Sequence, residues 1–424
     1  MIAKELLAAV VKDQRGEFGG MPRMVGRELA GRMTGAVSSA VVLKGVRRCG
    51  KSTLLRQLVM RRYGEEFYYV NFDDERLIGF EARDFQQLME TFASMQGKAK
   101  AILLDEVQNI GGWELFVNRL MREGYAVFIT GSNANLLSKE LGTHLTGRHI
   151  DYELYPFSFR EFLEMHGVKE DADSTKGRGA LSAAFREYLH GGGMPEPVIS
   201  KNPALLGQIV EDIIQKDIIK RYGIRKIDEL RSVLAFLIRN AANRITINSI
   251  SENFRLKSPV TVQKYLNCAE ETYLLFTLRK FERKTKLFDK NPRKVYCVDN
   301  GIVARYSPGI ETHHGAMLEN TVAVELRRRG GKFYYYLNKN GTETDFVTMG
   351  AGAVVGEILQ VCLEMSDIET EKREENALLQ TLKELKMKEG TIITLDSQKE
   401  KKIGGKIIRY APAWKWMLEG GRHE

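Results

Sequence analysis

The chain has 424 residues, 43% apolar and 28% charged, which suits a soluble globular protein of several domains and excludes a low-complexity or fibrous chain. No apolar run approaches the roughly eighteen residues that cross a bilayer, and MIAKELLAAVVKDQRGEF reads as an ordinary helix without a signal-peptide cleavage site, so a cytoplasmic, membrane-free protein is expected. Cys49, Cys268, Cys297 and Cys362 form no C-x-x-C pair, which excludes a zinc ribbon or disulfide framework, while a net charge of +9 is compatible with a polyanionic partner such as DNA.

In chain order, SAVVLK, EFYYVNF, KAILLD and AVFITG are short β-branched or aromatic runs bounded by turn or charged residues. Helical patterns lie between them, at Lys51 to Tyr63 and Trp113 to Glu123, which predicts an α/β domain with a mostly parallel sheet. From Pro156 the pattern turns helical, with SFREFLEMHG, a polar loop GVKEDADSTKGRG, and helices around HGGGMPEP. Lys226 to Asn300 reads as helix, helix, turn, helix and a two-stranded ribbon. Beyond Ile302 come a helix, three strands (KFYYYL, TDFVTM, AVVGEILQV), a long helix and closing strands. The long helix, Ile368 to Met387, alternates acids and bases on a face expected to be solvated.

Gly45-Val46-Arg47-Arg48-Cys49-Gly50-Lys51-Ser52 satisfies G-x-x-x-x-G-K-[ST] between an apolar strand and a helix. Glycines let the backbone curl so that its N–H groups point at phosphate oxygens, helped by the helix N-terminus. The expected nucleotide-binding residues are Gly45, Arg47, Arg48, Cys49, Gly50, Lys51, Ser52 and Thr53. Lys51 would reach the β- and γ-phosphates, and the Ser52 hydroxyl would ligate Mg²⁺. ATP and Mg²⁺ are the expected cofactors.

Ala101 to Glu106 (AILLDE) is an apolar strand ending in two acids. Asp105 would hold Mg²⁺ and Glu106 would polarise the attacking water, a pairing that favours hydrolysis over transfer to a small acceptor. The strand Val127 to Thr130 runs into Gly131-Ser132-Asn133, where Ser132 or Asn133 would orient the water or contact the γ-phosphate. Arg148 would supply positive charge to the transition state, in cis or from a neighbouring subunit. Catalytic roles are thus expected at Glu106, Lys51, Asn133 and Arg148. No guanine-reading N-K-x-D occurs, since Asn338-Lys339 lacks the acid, which favours ATP over GTP.

GVRRCGKSTLL, ILLDEVQNIGGWELFVNRL and TGSNANLLSKELGTHLTGRHIDYELYPFSFREFL together resemble the archaeal and bacterial AAA-type P-loop ATPases. The resemblance continues through YLHGGGMPEPV, DIIQKDIIKRYGIR, TVQKYLNCAEETYLLFTLRKF, KVYCVDNGI and LENTVAVELRRRG, nearly the whole chain. It implies an ASCE-division P-loop core, a helical lid, a winged helix and a restriction-endonuclease-like α/β terminal domain. Domains are expected at 1–155 (ATPase core), 156–225 (lid), 226–300 (winged helix-turn-helix) and 301–424 (nuclease-like). At the matched positions it implies phosphate binding by Gly50, Lys51 and Ser52, magnesium at Asp105, water activation by Glu106 and a sensor at Ser132–Asn133.

Ile247 to Arg255 and PVTVQKYLNCAEE, with Ser258 as N-cap, form a helix-turn-helix pattern. The following segment Arg279 to Lys294 carries Arg279, Lys280, Arg283, Lys284, Lys286, Lys290, Arg293 and Lys294, a basic wing able to follow duplex DNA. Intramolecular or protein docking is the alternative use of such a module, with Gln263, Lys264 and Asn267 its best base-reading residues. In the terminal domain Asp345 takes the first acid position of a nuclease, but the third strand reads Leu359-Gln360-Val361-Cys362 without acid or lysine. Glu319, Glu325 and Glu357 do not replace that lysine, so no nuclease activity is expected. The function expected is a Mg²⁺-dependent ATPase acting as a nucleotide-driven switch, with duplex DNA or an unspecified protein as its partner. The alternative is a nucleic-acid-binding regulator for which ATP is a conformational ligand; a small-molecule kinase is disfavoured by the Asp105–Glu106 pair.

Overall fold

The structure, a computed structural model, describes residues 2–17, 25–33, 39–132, 147–256, 258–282, 291–307, 314–350, 352, 354–363 and 368–420. It forms two compact units, Met1–Tyr155 with Glu271–Tyr273, and Pro156–Glu270 with Leu274–Glu424.

The first unit holds five parallel strands: β1 (Ala40–Lys44), β2 (Phe67–Asn71), β3 (Ala101–Asp105), β4 (Ala126–Gly131) and β5 (His149–Glu153). They are ordered β2-β3-β4-β1-β5, so β4 separates the strand before the glycine loop from the strand that ends in Asp105. β1, β3 and β4 are buried along their whole length, and β2 at all but its last residue, as helix-covered parallel strands must be. Leu7, Val10 and Val11 from helix Lys4–Gly16, Phe85, Leu88 and Phe92 from helix Phe85–Gln96, and Trp113, Val117 and Leu120 from helix Trp113–Arg122 share one core with them. Helix Lys51–Tyr63 spans the predicted residues. The fifth strand lies outside the four apolar runs: HIDYE alternates polar and apolar residues, with Ile150 and Tyr152 on one face, a weaker local signal than those runs. Its place follows from pairing with β1, where the Lys44 ammonium meets Asp151 at 2.6 Å. The parallel sheet flanked by helices is a P-loop NTPase fold.

The second unit begins with helix Phe159–His166, whose start is a reciprocal cap between Ser158 and Glu161. Helices Thr175–Gly191, Pro195–Ser200 and Leu205–Asp212 follow, the last continuing through a π-helical turn at Ile213–Ile219. Helices Ile227–Arg239, Ile247–Asn253 and Pro259–Glu271 come next. The expected two-stranded ribbon is a three-stranded sheet, β6 (Arg244–Ile245), β7 (Leu275–Leu278) and β8 (Arg293–Cys297), in order β6-β8-β7. Val262, Tyr265, Leu266 and Ala269 bury one face of helix Pro259–Glu271, at the spacing predicted.

The last part of this unit is a six-stranded mixed sheet: β9 (Lys332–Leu337), β10 (Glu343–Met349), β11 (Val355–Val361), β12 (Glu389–Thr394), β13 (Lys399–Ile403) and β14 (Lys406–Pro412). Helix Ile368–Glu384 departs from its expected solvated character. Glu371 accepts from Lys399 and Lys401 at 2.6 Å each, and Glu375 from Lys401 at 2.6 Å. Part of the charge run is therefore docked on β13 through ion pairs.

Candidate functional site

Because the strands of the first unit are parallel, β1, β3 and β4 all end at one edge of the sheet. Three segments leave from that edge: the loop 45–50, the pair Asp105–Glu106, and Gly131–Ser132. Ligand sites of open parallel sheets form outside such carboxyl ends.

The loop needs its first glycine. Gly45 has φ of 151°, and a Cβ there would lie 2.3 Å from the Leu154 carbonyl oxygen. Gly50, at φ of 96°, turns the chain into helix Lys51–Tyr63. The Lys51 side chain is buried, and its Nζ donates to the carbonyls of Gly45 and Val46 at 3.0 Å each, so the ammonium closes the loop on itself. Arg27 braces the outside: Nη1 donates to the Cys49 carbonyl at 2.9 Å and Nη2 to that of Tyr155 at 2.6 Å. The Cys49 thiol is turned inward, 3.5 Å from the Leu154 carbonyl, and burial pushes its pKa up. Arg47 faces Asp73 at 3.5 Å. Gly45, Arg47, Arg48, Cys49, Gly50, Lys51, Ser52 and Thr53 thus lie on one loop-to-helix turn, where Cys49 has only its backbone to offer. The first N–H groups of a helix lack intrahelical partners and carry its positive dipole end, which suits an anion.

Asp105 is buried with both carboxylate oxygens oriented. Oδ1 accepts from the Thr130 hydroxyl and Oδ2 from Tyr69 at 3.2 Å. Tyr69 in turn accepts from Arg56 Nη2 at 2.8 Å, and burial, then the Asp105 charge, raise its pKa. Glu106 stands in the left-handed region at φ of 53°, held there by its N–H on Thr130 Oγ1 at 3.1 Å. Its Oε2 accepts from Ser132 Oγ at 3.2 Å and from Gln108 Nε2. A non-glycine residue so held costs on the order of 1 kcal/mol and persists where surroundings over-determine it. The oxygen donors here, a carboxylate and a serine hydroxyl, suit a hard divalent cation.

Asn133 lies outside the described residues. Arg148 is not brought to this edge: its carbonyl accepts the Ala40 N–H at 2.9 Å, at the start of β1. A residue that precedes a strand parallel to β1 must lie at the end of the sheet opposite the loop. Arg27, Tyr69, Gln108 and Thr130 were missed. Thr130, a polar residue closing an apolar strand, was the only one with a local signal.

In the second unit, residues 283–290 of the basic wing lie outside the described residues, and Lys280 pairs with Glu282 at 2.7 Å. Lys294 is no phosphate contact. It is 2% exposed, with Nζ at 2.6 Å from Glu319, 2.6 Å from Glu343 and 3.1 Å from Asp345. The lysine missing from the third strand is thus replaced beside the acids by one from β8. Glu319 also accepts from Tyr296 at 2.7 Å; burial and then Asp345 push its carboxyl up to about 8. Gln360 donates to Glu374 at 2.8 Å, Glu325 pairs with Arg328 and Arg329, and Glu357 is exposed.

Residues 37–163 match the AAA domain, and residues 182–312 match a domain of unknown function (DUF8612). An uncharacterized protein of Methanocaldococcus jannaschii is 33% identical over 395 residues, 89% of this chain and 88% of that protein. An uncharacterized protein of Haemophilus influenzae is 33% identical over 77% of this chain and 83% of its own length. Among solved structures, AMPPCP-bound DnaA from Aquifex aeolicus is 18% identical, covering 57% of this chain and 86% of that one at a TM-score of 0.25. Among the described residues no helix is long and apolar enough to cross a membrane.

Proposed function

The chain belongs to the P-loop AAA-type family of these archaeal and bacterial relatives, and from that premise we propose that it binds ATP with Mg²⁺ and hydrolyses it. The observation that carries this reading is the convergence, at one edge of a parallel sheet, of the loop closed by Lys51 and the acid pair Asp105–Glu106. Backbone N–H groups of the loop and the Lys51 ammonium bind the phosphates, the latter exchanging its loop carbonyls for phosphate oxygens. Ser52 and Asp105 would hold Mg²⁺, which supplies charge neutralisation on the phosphates. Glu106 takes up the proton of the attacking water. The test is ATP binding and turnover by the purified protein. Lys51→Ala should lose binding, and Glu106→Gln should bind ATP but not turn it over. Normal turnover by Glu106→Gln would remove the assigned role.

The reading extends to the regions beyond the core, proposed as a helical lid (156–225), a winged helix (226–300) and a nuclease-like terminal domain without nuclease activity (301–424), with nucleotide turnover as the switch among their states. An ammonium held by three carboxylates, as at Lys294, supports the last assignment, since it already neutralises the acids a metal would need. Measurable Mg²⁺-dependent DNA cleavage, abolished by Asp345→Ala, overturns it.

A second reading, a regulator that binds duplex DNA, draws support from the free face of helix Pro259–Glu271. Val260 is 75% exposed there, beside exposed Lys264 and Asn267. Salt-dependent duplex binding weakened by Lys264→Glu and Arg279→Glu is the expected sign.

A further inference from the structure

Glu106 is followed by a short 3₁₀ turn, Val107–Asn109, that carries Gln108 back against it. A carboxylate only accepts, so the amide of Gln108 must turn its NH₂ group to Glu106 Oε2, and the reverse orientation would set oxygen against oxygen. That choice leaves Gln108 Oε1 on the other arm of the same amide. Among the described residues this buried oxygen has no hydrogen-bond partner, in a side chain only 8% exposed. A buried acceptor left unpaired is costly, and such an atom beside a reactive carboxylate asks for a donor that arrives with the ligand.

We propose that Gln108 is a second catalytic residue of the hydrolysis proposed above, binding the attacking water through Oε1; the inference rests on that reading. A water molecule has two O–H groups. One donates to the Glu106 carboxylate, the other to Gln108 Oε1, and a lone pair on its oxygen then faces the γ-phosphorus. In the step, the bond from water oxygen to γ-phosphorus forms. The bond from γ-phosphorus to the β–γ bridging oxygen breaks, its electron pair leaving with ADP, and the proton lost by the water passes to Glu106. Gln108, an amide, exchanges no proton and only orients. Its two arms do different work: Nε2, with Ser132, fixes the carboxylate by one oxygen, and Oε1 fixes the nucleophile. The strained backbone of Glu106 and its anchor on Thr130 keep both in register.

The experiment compares wild type, Glu106→Gln, Gln108→Met and Gln108→Glu for ATP turnover at saturating Mg²⁺-ATP, affinity for a non-hydrolysable ATP analogue, and thermal melting. Gln108→Met keeps the volume and loses the acceptor. Its kcat should fall about 100-fold, with analogue affinity within about twofold of wild type. That split between kcat and affinity is the response that a merely structural role does not produce. Gln108→Glu keeps an acceptor oxygen but adds a charge beside Glu106, so the acid limb of its pH–rate profile should move upward. If Gln108→Met turns over like wild type while Glu106→Gln is inactive, the Gln108 inference fails and the ATPase reading stands. If Glu106→Gln is fully active, both fail. Should Gln108→Met melt early, the decision passes to a crystal structure of the wild type with ADP and aluminium fluoride. A water within hydrogen-bond distance of Gln108 Oε1 upholds the proposal, and an Oε1 bonded to protein alone overturns it.

Discussion

The Thr130 hydroxyl donates its hydrogen to Asp105 Oδ1, across the boundary between neighbouring parallel strands. Thr130 Oγ1 itself accepts the Glu106 N–H at 3.1 Å, so one side chain holds both acids of the pair. Thr130→Val keeps the shape of this fully buried residue and removes both bonds. It should lower stability by about 1–3 kcal/mol, because a buried carboxylate oxygen and an N–H lose their partner. Turnover should fall more than analogue affinity does. Denaturant melts and steady-state kinetics check this, and unchanged kcat would show that Thr130 serves folding alone.

Gly45→Ala should be far more damaging than its size suggests. The added methyl would meet the Leu154 carbonyl at 2.3 Å in a backbone conformation that L residues rarely adopt. The expected cost is about 1–3 kcal/mol, with loss of nucleotide affinity as the loop shifts. Gly111→Ala, whose added methyl would meet no heavy atom of the described residues within 4 Å beyond its chain neighbours, is the control, expected to stay within about 0.5 kcal/mol of wild type. Equal melting curves for the two variants would refute the assigned clash.

Lys294→Met leaves Glu319, Glu343 and Asp345 facing one another without the ammonium that now bonds all three. Uncompensated buried charge of this kind costs about 3–5 kcal/mol. The deficit should shrink as pH falls and the carboxyls protonate. Urea denaturation of wild type and variant at pH 7 and pH 5 measures it, and a deficit independent of pH would mean that packing, not charge, is lost.

Asp299 is buried at the start of helix Asn300–Tyr306, accepting N–H groups of Gly193 at 2.6 Å and Gly301 at 2.9 Å. Burial outweighs those bonds and pushes its carboxyl from 3.8 up to about 6. A raised carboxyl holds its proton more tightly folded than unfolded, so the unfolded state binds fewer protons between these values. Stability from this group is therefore full below about pH 4 and lost as pH rises through about 6, on the order of 3 kcal/mol. Wild type should lose stability across that window, and Asp299→Asn, which does not titrate, should lose that part of the slope. An unchanged slope in the variant would place the titration elsewhere.

The sequence was informative wherever a property is carried by adjacent residues. The turn at Gly45–Ser52 and the acids closing β3 are local patterns, since backbone freedom, strand burial and helix start are set by neighbours in the chain. The buried face of helix Pro259–Glu271 was legible for the same reason, through its spacing. β5 was less so, because its alternation rests on two apolar side chains, Ile150 and Tyr152, and only the pairing with β1 makes it a strand of the sheet. Arg148 was assigned to the site on residue type, yet the parallel direction of β5 carries it to the other end of the sheet.

Composition and motif were enough to specify a phosphate-type loop, an acid pair and an α/β core in this protein. Folding alone joined Thr130 to Asp105, Arg27 to the loop carbonyls, and Lys294 of the basic segment to Glu319, Glu343 and Asp345. Short patterns constrain the few dihedrals within them, whereas which distant side chains meet depends on strand order and direction. Those are properties of the assembled sheet, and no stretch of the chain holds them in advance.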